Sequence, residues 1–281
     1  MPIVTFWSNS KQAVGQTISA ALTATTMALE KSYKTILISI DFDDKTIENC
    51  FGPQESNTAV IKSLIKTPQI NLDSGVKGIF KLAESNRLTP ELIQDYTKII
   101  FNNRLEILYA PQSEQISRQD RIEYMMKYKN IILNAARFYD YVIVDLMKGI
   151  ESDAQKELLK ISDIIVMNVS QGIKEIKESL SNQYVKELSD KLVWNICRYD
   201  WKSKYNIKNI LRTTLKKQHV HAIPYNTLLL EATQDLGVPE LLIRFRMLKD
   251  KEGENTFFVS QIKELIEGIT QKFTELRSGI K

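Results

Sequence analysis

The stretch Ser8-Asn9-Ser10-Lys11-Gln12-Ala13-Val14-Gly15-Gln16-Thr17 decides how this chain is read. The apolar run Ile3-Val4-Thr5-Phe6-Trp7 before it predicts a strand, and residues 14–31 after it predict a helix. A strand that feeds a helix through such a loop is the setting of a phosphate-binding loop. The first N–H groups of a helix face outward unpaired, and the helix dipole favours an anion there. Gly15 lets the backbone pass close to a phosphate, and Thr17 offers a hydroxyl to a magnesium ion. Taken alone, the pattern also fits a plain strand-to-helix turn. It holds one glycine, and Gln16 stands where a lysine is expected just before Thr17.

Working outward, short apolar runs recur at 35–40, 105–109, 141–145, 164–169, 192–196 and 220–224. Most are continuous rather than alternating, as in strands covered on both faces. Helical patterns lie between them at 57–66, 90–101, 119–138, 153–160, 174–188 and 207–217. Strand and helix in alternation predict an α/β fold with a largely parallel sheet and helices on both faces. No linker or repeat divides the chain, so residues 1–281 are expected to form one domain. The least regular segment, 67–104, reads as an insertion over one end of the sheet.

Composition agrees with a globular chain. Of 281 residues, 43% are hydrophobic and 26% charged, and 38 Lys and Arg against 34 Asp and Glu leave a net charge of +4. Disordered, collagen-like and disulfide-scaffold classes are excluded. Cys50 and Cys197 lie far apart and form no CxxC, which favours a reduced, cytoplasmic setting. The N-terminus shows no secretory signal, and residues 13–29, broken by five threonines and serines and by Gln16, read as a buried helix rather than a membrane span.

Residues 11–17 align without gaps with K-G-G-x-G-K-[ST], and on this the chain resembles the ParA/MinD family of deviant P-loop ATPases, nearly end to end. The resemblance makes Lys11 the signature lysine that reaches the partner subunit's phosphate, a catalytic role, and makes Gln12, Ala13, Val14, Gly15, Gln16 and Thr17 the nucleotide loop. Gln12 and Ala13 replace glycines, and Gln16 replaces the phosphate-binding lysine. The second motif, Thr35-Ile36-Leu37-Ile38-Ser39-Ile40-Asp41, has Ser39 in place of the family's water-holding aspartate and keeps the second aspartate as Asp41, the remaining candidate for catalysis. The third, running from Tyr139-Asp140 to Asp145-Leu146-Met147-Lys148-Gly149, keeps the magnesium aspartate as Asp145 and loses a Pro-Pro pair. Metal ligation therefore falls to Thr17 and Asp145. Trp194-Asn195, taken as a strand end, matches the asparagine that reads the adenine edge. The stretch from His221 through Pro224 to Glu231-Ala232 and Gly237-Val238-Pro239 resembles the family's late motif and adds Pro224 to the nucleotide set.

The implied fold is a three-layer α/β/α domain with a mainly parallel sheet of seven or eight strands, of P-loop NTPase type. The implied cofactors are ATP and Mg2+, and the implied assembly is a homodimer. Phe6-Trp7-Ser8 and Ser85-Asn86-Arg87-Leu88-Thr89-Pro90-Glu91-Leu92-Ile93 resemble a subgroup similar to the positioning proteins of Tad-type (Flp) pili and related secretion systems.

The departures carry chemical weight. Phosphoryl transfer needs positive charge on the phosphate oxygens and a held water. Gln16 removes one charge, worth about tenfold to a hundredfold in nucleotide affinity at about 1.5–3 kcal/mol per charge-assisted hydrogen bond. Ser39 is no carboxylate base. Weak or absent hydrolysis with retained ATP binding is expected, and the competing expectation is a pseudo-ATPase.

Two basic runs, 198–217 and 244–251, stand out. In the first, seven Lys and Arg face Asp200 alone, with Trp201 and Tyr205 interleaved. They read either as a patch for DNA or anionic membrane, or as a solvated helix face. His219 and His221 lack the partners of a zinc site. The C-terminal pattern Phe258, Ile262, Leu265, Ile266, Ile269, Phe273, Leu276 predicts an amphipathic helix, and Glu264, Glu267 and Glu275 favour docking on the domain over membrane binding. Two functions are open: a positioning or assembly protein accessory to a Tad-like pilus or secretion system, peripheral at the membrane or a cell pole, and a partition-type ATPase on DNA.

Overall fold

The structure is a computed structural model that describes residues 1–10, 12–52, 72–85, 87–111, 117–149, 152–216, 218–235, 237–248 and 253–279. Along the chain the elements are β1 (Ile3–Trp7), α1 (Gln16–Glu30), β2 (Thr35–Ile40), α2 (Thr46–Phe51), α3 (Leu72–Glu84), β3 (Lys98–Phe101), β4 (Leu105–Leu108), α4 (Arg118–Ala135) and β5 (Tyr141–Leu146). There follow α5 (Asp153–Ile161), β6 (Ile164–Val169), α6 (Ile173–Ser181), α7 (Gln183–Glu187), β7 (Leu192–Tyr199), α8 (Ile207–Thr213), β8 (Val220–Pro224), α9 (Thr227–Gln234), α10 (Val238–Arg246) and α11 (Glu254–Ser278).

The strands form one eight-stranded sheet in the order β3-β4-β2-β5-β1-β6-β7-β8. Every neighbouring pair is parallel except β3 with β4. Alternate side chains leave each strand on opposite faces, and both faces are covered. Ile36, Ile38, Val142 and Val144 pack under α3, α4 and α5, while Val4, Phe6, Leu37 and Ile143 pack under α1, α10 and α11. The result is the expected three-layer α/β/α arrangement.

α1 explains the small-residue run. Ala20, Ala21, Thr23, Ala24, Thr25 and Ala28 are buried nearly all round, between the sheet and α2, α10 and α11. Their size lets the backbones approach closely. Thr25 satisfies its hydroxyl on the Ala21 carbonyl at 2.8 Å. Among the described residues no helix is long and apolar enough to cross a membrane.

Three sequence readings need correction. Residues 90–101 are not a helix: Glu91–Tyr96 form a short 3-10 turn, and Lys98–Phe101 are the antiparallel edge strand, folded back on β4 through Asn103 in a left-handed conformation (φ 57°). The β-branched pair Ile99-Ile100 gains more from the open sheet edge than from one more helical turn. Residues 174–188 divide at Asn182, whose extended backbone ends α6 and whose side chain accepts from the Tyr184 and Val185 amides to start α7. Residues 207–217 are helical only to Thr213. The expected helix at 57–66 lies outside the described residues.

α11 docks on the domain, as its acidic face suggested. Phe258, Ile262, Leu265, Ile266 and Ile269 are buried in the core that α1 and α10 share, and Phe273 packs against it. Glu264 and Glu267 face solvent. Gly268 lies directly on the His221 imidazole of β8, where a Cβ would fall 2.0 Å from Nε2.

Candidate functional site

The parallel strands place their carboxyl ends together, and the order β2-β5-β1 brings three loops to one point. In register, Asp145 on β5 faces Ser39 on β2 and Phe6 on β1. The loop after β1, residue Asp41 after β2 and Asp145 therefore meet by topology alone.

The loop turns into α1 through Gly15, whose left-handed backbone (φ 92°, ψ 19°) suits glycine. Ser19 closes this first turn, its amide and its hydroxyl each reaching the Gly15 carbonyl at 3.0 Å. Val14 is buried, while Gln12 and Ala13 are exposed. The Gln12 amide donates to Ser10 Oγ at 3.2 Å. Lys11 lies outside the described residues.

Gln16 and Thr17 are buried at the start of α1. Gln16 Nε2 donates to Asp145 Oδ1 at 2.8 Å and to the Leu146 carbonyl at 2.6 Å, which commits both of its hydrogens. Gln16 Oε1, Thr17 Oγ1 and Asp145 Oδ2 are buried without a hydrogen-bond partner. Burial pushes the Asp145 carboxyl up to about 7; the Gln16 bond and the nearby Thr17 hydroxyl oppose this, and the Asp41 and Asp44 charges add to it.

The segment after β2 is acidic and meets two cations, Arg121 at Asp43 and Lys148 at Asp44 and Asp41. Lys148 Nζ lies 3.0 Å from Asp44 Oδ2 and 4.0 Å from Asp41 Oδ2. Burial raises Asp41, and the Asp43 amide and Lys148 only partly offset it. For Asp44 burial acts the same way, but bonds from the Thr46 hydroxyl and amide and from Lys148 outweigh it and hold the carboxyl low. Against its own burial, Lys148 is held above its ordinary value by Asp44 and Asp41.

The backbone carrying Lys148 is fixed from several sides. Gly149 N donates to the Ser8 carbonyl at 2.7 Å, and Trp7 Nε1 donates to the Gly149 carbonyl at 2.8 Å. Gln155 Nε2 donates to the Met147 and Gly149 carbonyls, both at 2.7 Å. Trp7 thus has a structural task. Sequence reasoning passed over Lys148, Asp44 and Gln155. The signal for Lys148 was its place in the motif where a Pro-Pro pair is lost.

Asn195 is corrected. β7 runs on to Tyr199, so Asn195 is inside the strand rather than at its end. It is fully buried, with Nδ2 donating to Asn168 Oδ1 at 2.9 Å and to Ser19 Oγ at 3.1 Å. The residues at the strand end are Arg198, with a left-handed φ of 52°, and Tyr199. A cleft of about 320 Å3 opens beside them, bounded by Gly15, Ile18, Cys197, Arg198, Pro224 and Leu229. Pro224 lines this cleft, and Asn195 is not among the residues that bound it. The Cys197 thiol, pushed up to about 12 by burial, is no nucleophile there.

The basic run is exposed at Arg198, Lys202, Lys204, Lys208, Arg212 and Lys216. Among the described residues none of these six forms an ion pair. Lys202 lies over the Trp201 ring and Lys204 over the Tyr205 ring, with each ammonium about 5 Å from the centroid (5.2 and 5.0 Å). Gln171 pins this loop through the Asp200 and Tyr205 carbonyls at 2.9 and 3.0 Å. In the second run Arg246 pairs with Glu30 at 3.5 Å, and Lys249 and Lys251 lie outside the described residues. Among the described residues no cluster of three or more His, Cys, Asp or Glu has a metal-binding arrangement.

No protein-family model and no curated protein sequence matches the chain. Solved structures do. A ParA family ATPase from Chlorobium tepidum TLS superposes with a TM-score of 0.66 at 16% identity, over 95% of this chain and 98% of that one. A plasmid partition protein from Borrelia burgdorferi B31, bound to AMPPNP, gives 0.64 at 18% identity over 96% and 99%. The septum site-determining protein MinD from Pyrococcus horikoshii OT3, complexed with Mg-ADP, gives 0.64 at 15% identity over 95% of each chain. At these identities the likeness is one of fold.

Proposed function

We propose that this chain, whose fold is that of the ParA/MinD ATPases, is a spatial-positioning or assembly protein that binds Mg-ATP, dimerises under its control and hydrolyses it slowly or not at all. The observation that carries the reading is the Gln16 amide bonded to Asp145. It stands where the resemblance requires a phosphate-binding lysine.

The residues present fit the nucleotide and its metal. Buried oxygens on Gln16 and Thr17 at the head of α1, and on Asp145 near the end of β5, make no close hydrogen bond, and a cluster of that kind calls for a ligand. Thr17 and Asp145 would hold the magnesium ion. The amides of the loop from Gln12 to Gln16 would hold phosphate, and the cleft by Pro224 would hold the base. The bound ion supplies positive charge to the phosphate oxygens. Turnover is slow because Ser39 holds no carboxylate charge near the attacking water. Asp41, one turn of strand further on, is engaged with the Asp43 amide and faces Lys148.

Lys11, by its resemblance to the signature lysine, reaches across a homodimer. Accessory service to a Tad-like pilus or secretion system, at the membrane periphery or a cell pole, rests on the resemblance carried by residues 6–8 and 85–93. The test is the mass in solution by light scattering, with and without Mg-ATP, alongside phosphate release. A doubling of mass with less than one phosphate released per protein in an hour supports the reading. An unchanged mass with saturating Mg-ATP contradicts it.

One observation favours a second reading, a partition-type ATPase on DNA: the basic run whose six described cations are exposed and form no ion pair, with its two aromatic rings. Salt-sensitive retention of DNA that is lost on Lys216→Glu with Lys217→Glu supports it. No retention at low salt removes it.

A further inference from the structure

Gln16 stands where the resemblance calls for a lysine, and Lys148, after β5, pairs with Asp44 and Asp41 beside the Asp145 that Gln16 bonds. Gln16 has both amide hydrogens committed to Asp145 and Leu146, so its one uncommitted polar atom is a buried acceptor, Oε1. An acceptor oxygen repels a phosphate. Across the site, Lys148 occupies a loop whose backbone is pinned through Leu146, Met147 and Gly149. Its ammonium lies among Asp41, Asp44 and Asp145, close enough for all three carboxylates to raise its pKa.

We propose that Lys148 is the phosphate-binding cation of this site, the positive charge that the loop lacks at Gln16. The inference rests on the nucleotide reading above. Two features suit Lys148 to the task. It is anchored where β5 ends, beside the loop after β1, because Gly149 N is bonded to the Ser8 carbonyl. Its resting partner is also exchangeable. The Lys148–Asp44 pair is partly exposed, with side chains 19% and 25% accessible. A charge-assisted bond to a terminal phosphate can replace such a pair. Asp44 keeps its second hold, on Thr46, when the ammonium leaves. Lysine suits this exchange as a point charge on a flexible stem.

The test is calorimetric titration of ATP and of AMP, in magnesium, into the natural protein and three variants: Lys148→Gln, Lys148→Arg, and Lys148→Gln combined with Gln16→Lys. Melting temperatures check that each variant folds. The expected result is an ATP affinity lowered about tenfold or more in Lys148→Gln, the loss of one charge-assisted bond. AMP affinity stays unchanged, and ATP affinity recovers in Lys148→Arg and in the double variant. The rescue by Gln16→Lys separates a phosphate contact from a merely structural role, which it would not restore. Equal ATP affinity in the natural protein and a folded Lys148→Gln overturns this inference alone. Absence of ATP binding by the natural protein overturns both it and the nucleotide reading.

Discussion

Gln16 Nε2 donates to Asp145 Oδ1 at 2.8 Å, so the side chain at the head of α1 caps the carboxylate at the end of β5. An amide does this without a charge. Burial of the carboxyl raises its pKa to about 7, against the opposing pull of Gln16 and the Thr17 hydroxyl.

A stability prediction follows from that shift. A carboxyl raised in the folded state contributes stability that is full below its unfolded value, near 3.8, and is lost as pH rises through about 7. At pH 8 the charge is forced into the interior, at a cost of up to about 4 kcal/mol at ~1.4 kcal/mol per pKa unit. Asp145→Asn keeps the shape and the Gln16 bond without the charge. Urea unfolding should find the variant more stable at pH 8, with the gap closing by pH 4–5. An equal gap at both pH values contradicts the account.

His221 predicts the opposite slope. Burial, helped by His219, lowers its pKa from 6.5 to about 4. A histidine depressed in the fold favours the unfolded chain as pH falls from 6.5 toward 4. Replacing it by Gln should remove about 2 kcal/mol of acid sensitivity between pH 6.5 and 4.5, with ~1.4 kcal/mol per pKa unit as the scale. The measurement is the difference in unfolding free energy between the two proteins at those two pH values. A constant difference would show that His221 is not buried neutral.

The same histidine fixes α11. A Cβ on Gly268 would lie 2.0 Å from His221 Nε2 and 2.5 Å from Cε1. Gly268→Ala should therefore destabilise by about 1–3 kcal/mol, the usual cost of overpacking. Adding His221→Ala should return part of that loss, because the two substitutions share one space. Additive losses in thermal or urea unfolding would place α11 elsewhere on the sheet.

Much of this was legible in the sequence where pattern and topology coincide. The seven strand runs stood out because strands buried on both faces are continuously apolar. Residues 14–31 read as a helix because small residues recur without a breaker. The edge strand Lys98–Phe101 was missed because a four-residue apolar run after helix-forming Glu91-Leu92-Ile93 has no periodicity of its own. Only pairing with β4 decides it. Gly15, Gln16 and Thr17 stood out as a loop between strand and helix, and Asp41 and Asp145 came from the resemblance; register then brings the strand ends that carry them together. Asn195 misled because strand length is set by pairing: β8 holds β7 extended to Tyr199, which leaves Asn195 in the interior. Lys148 carried one signal, its place in the third motif, but its contact with Asp44, 104 residues away, is set by the fold alone.

The central claim is that a loop without its lysine still binds nucleotide at Thr17 and Asp145. Calorimetric titration of Mg-ATP into the natural protein and into Asp145→Ala tests it most directly. The account predicts saturable binding by the natural protein and its loss in the variant. No heat of binding at millimolar Mg-ATP, or equal binding by the two proteins, would contradict it.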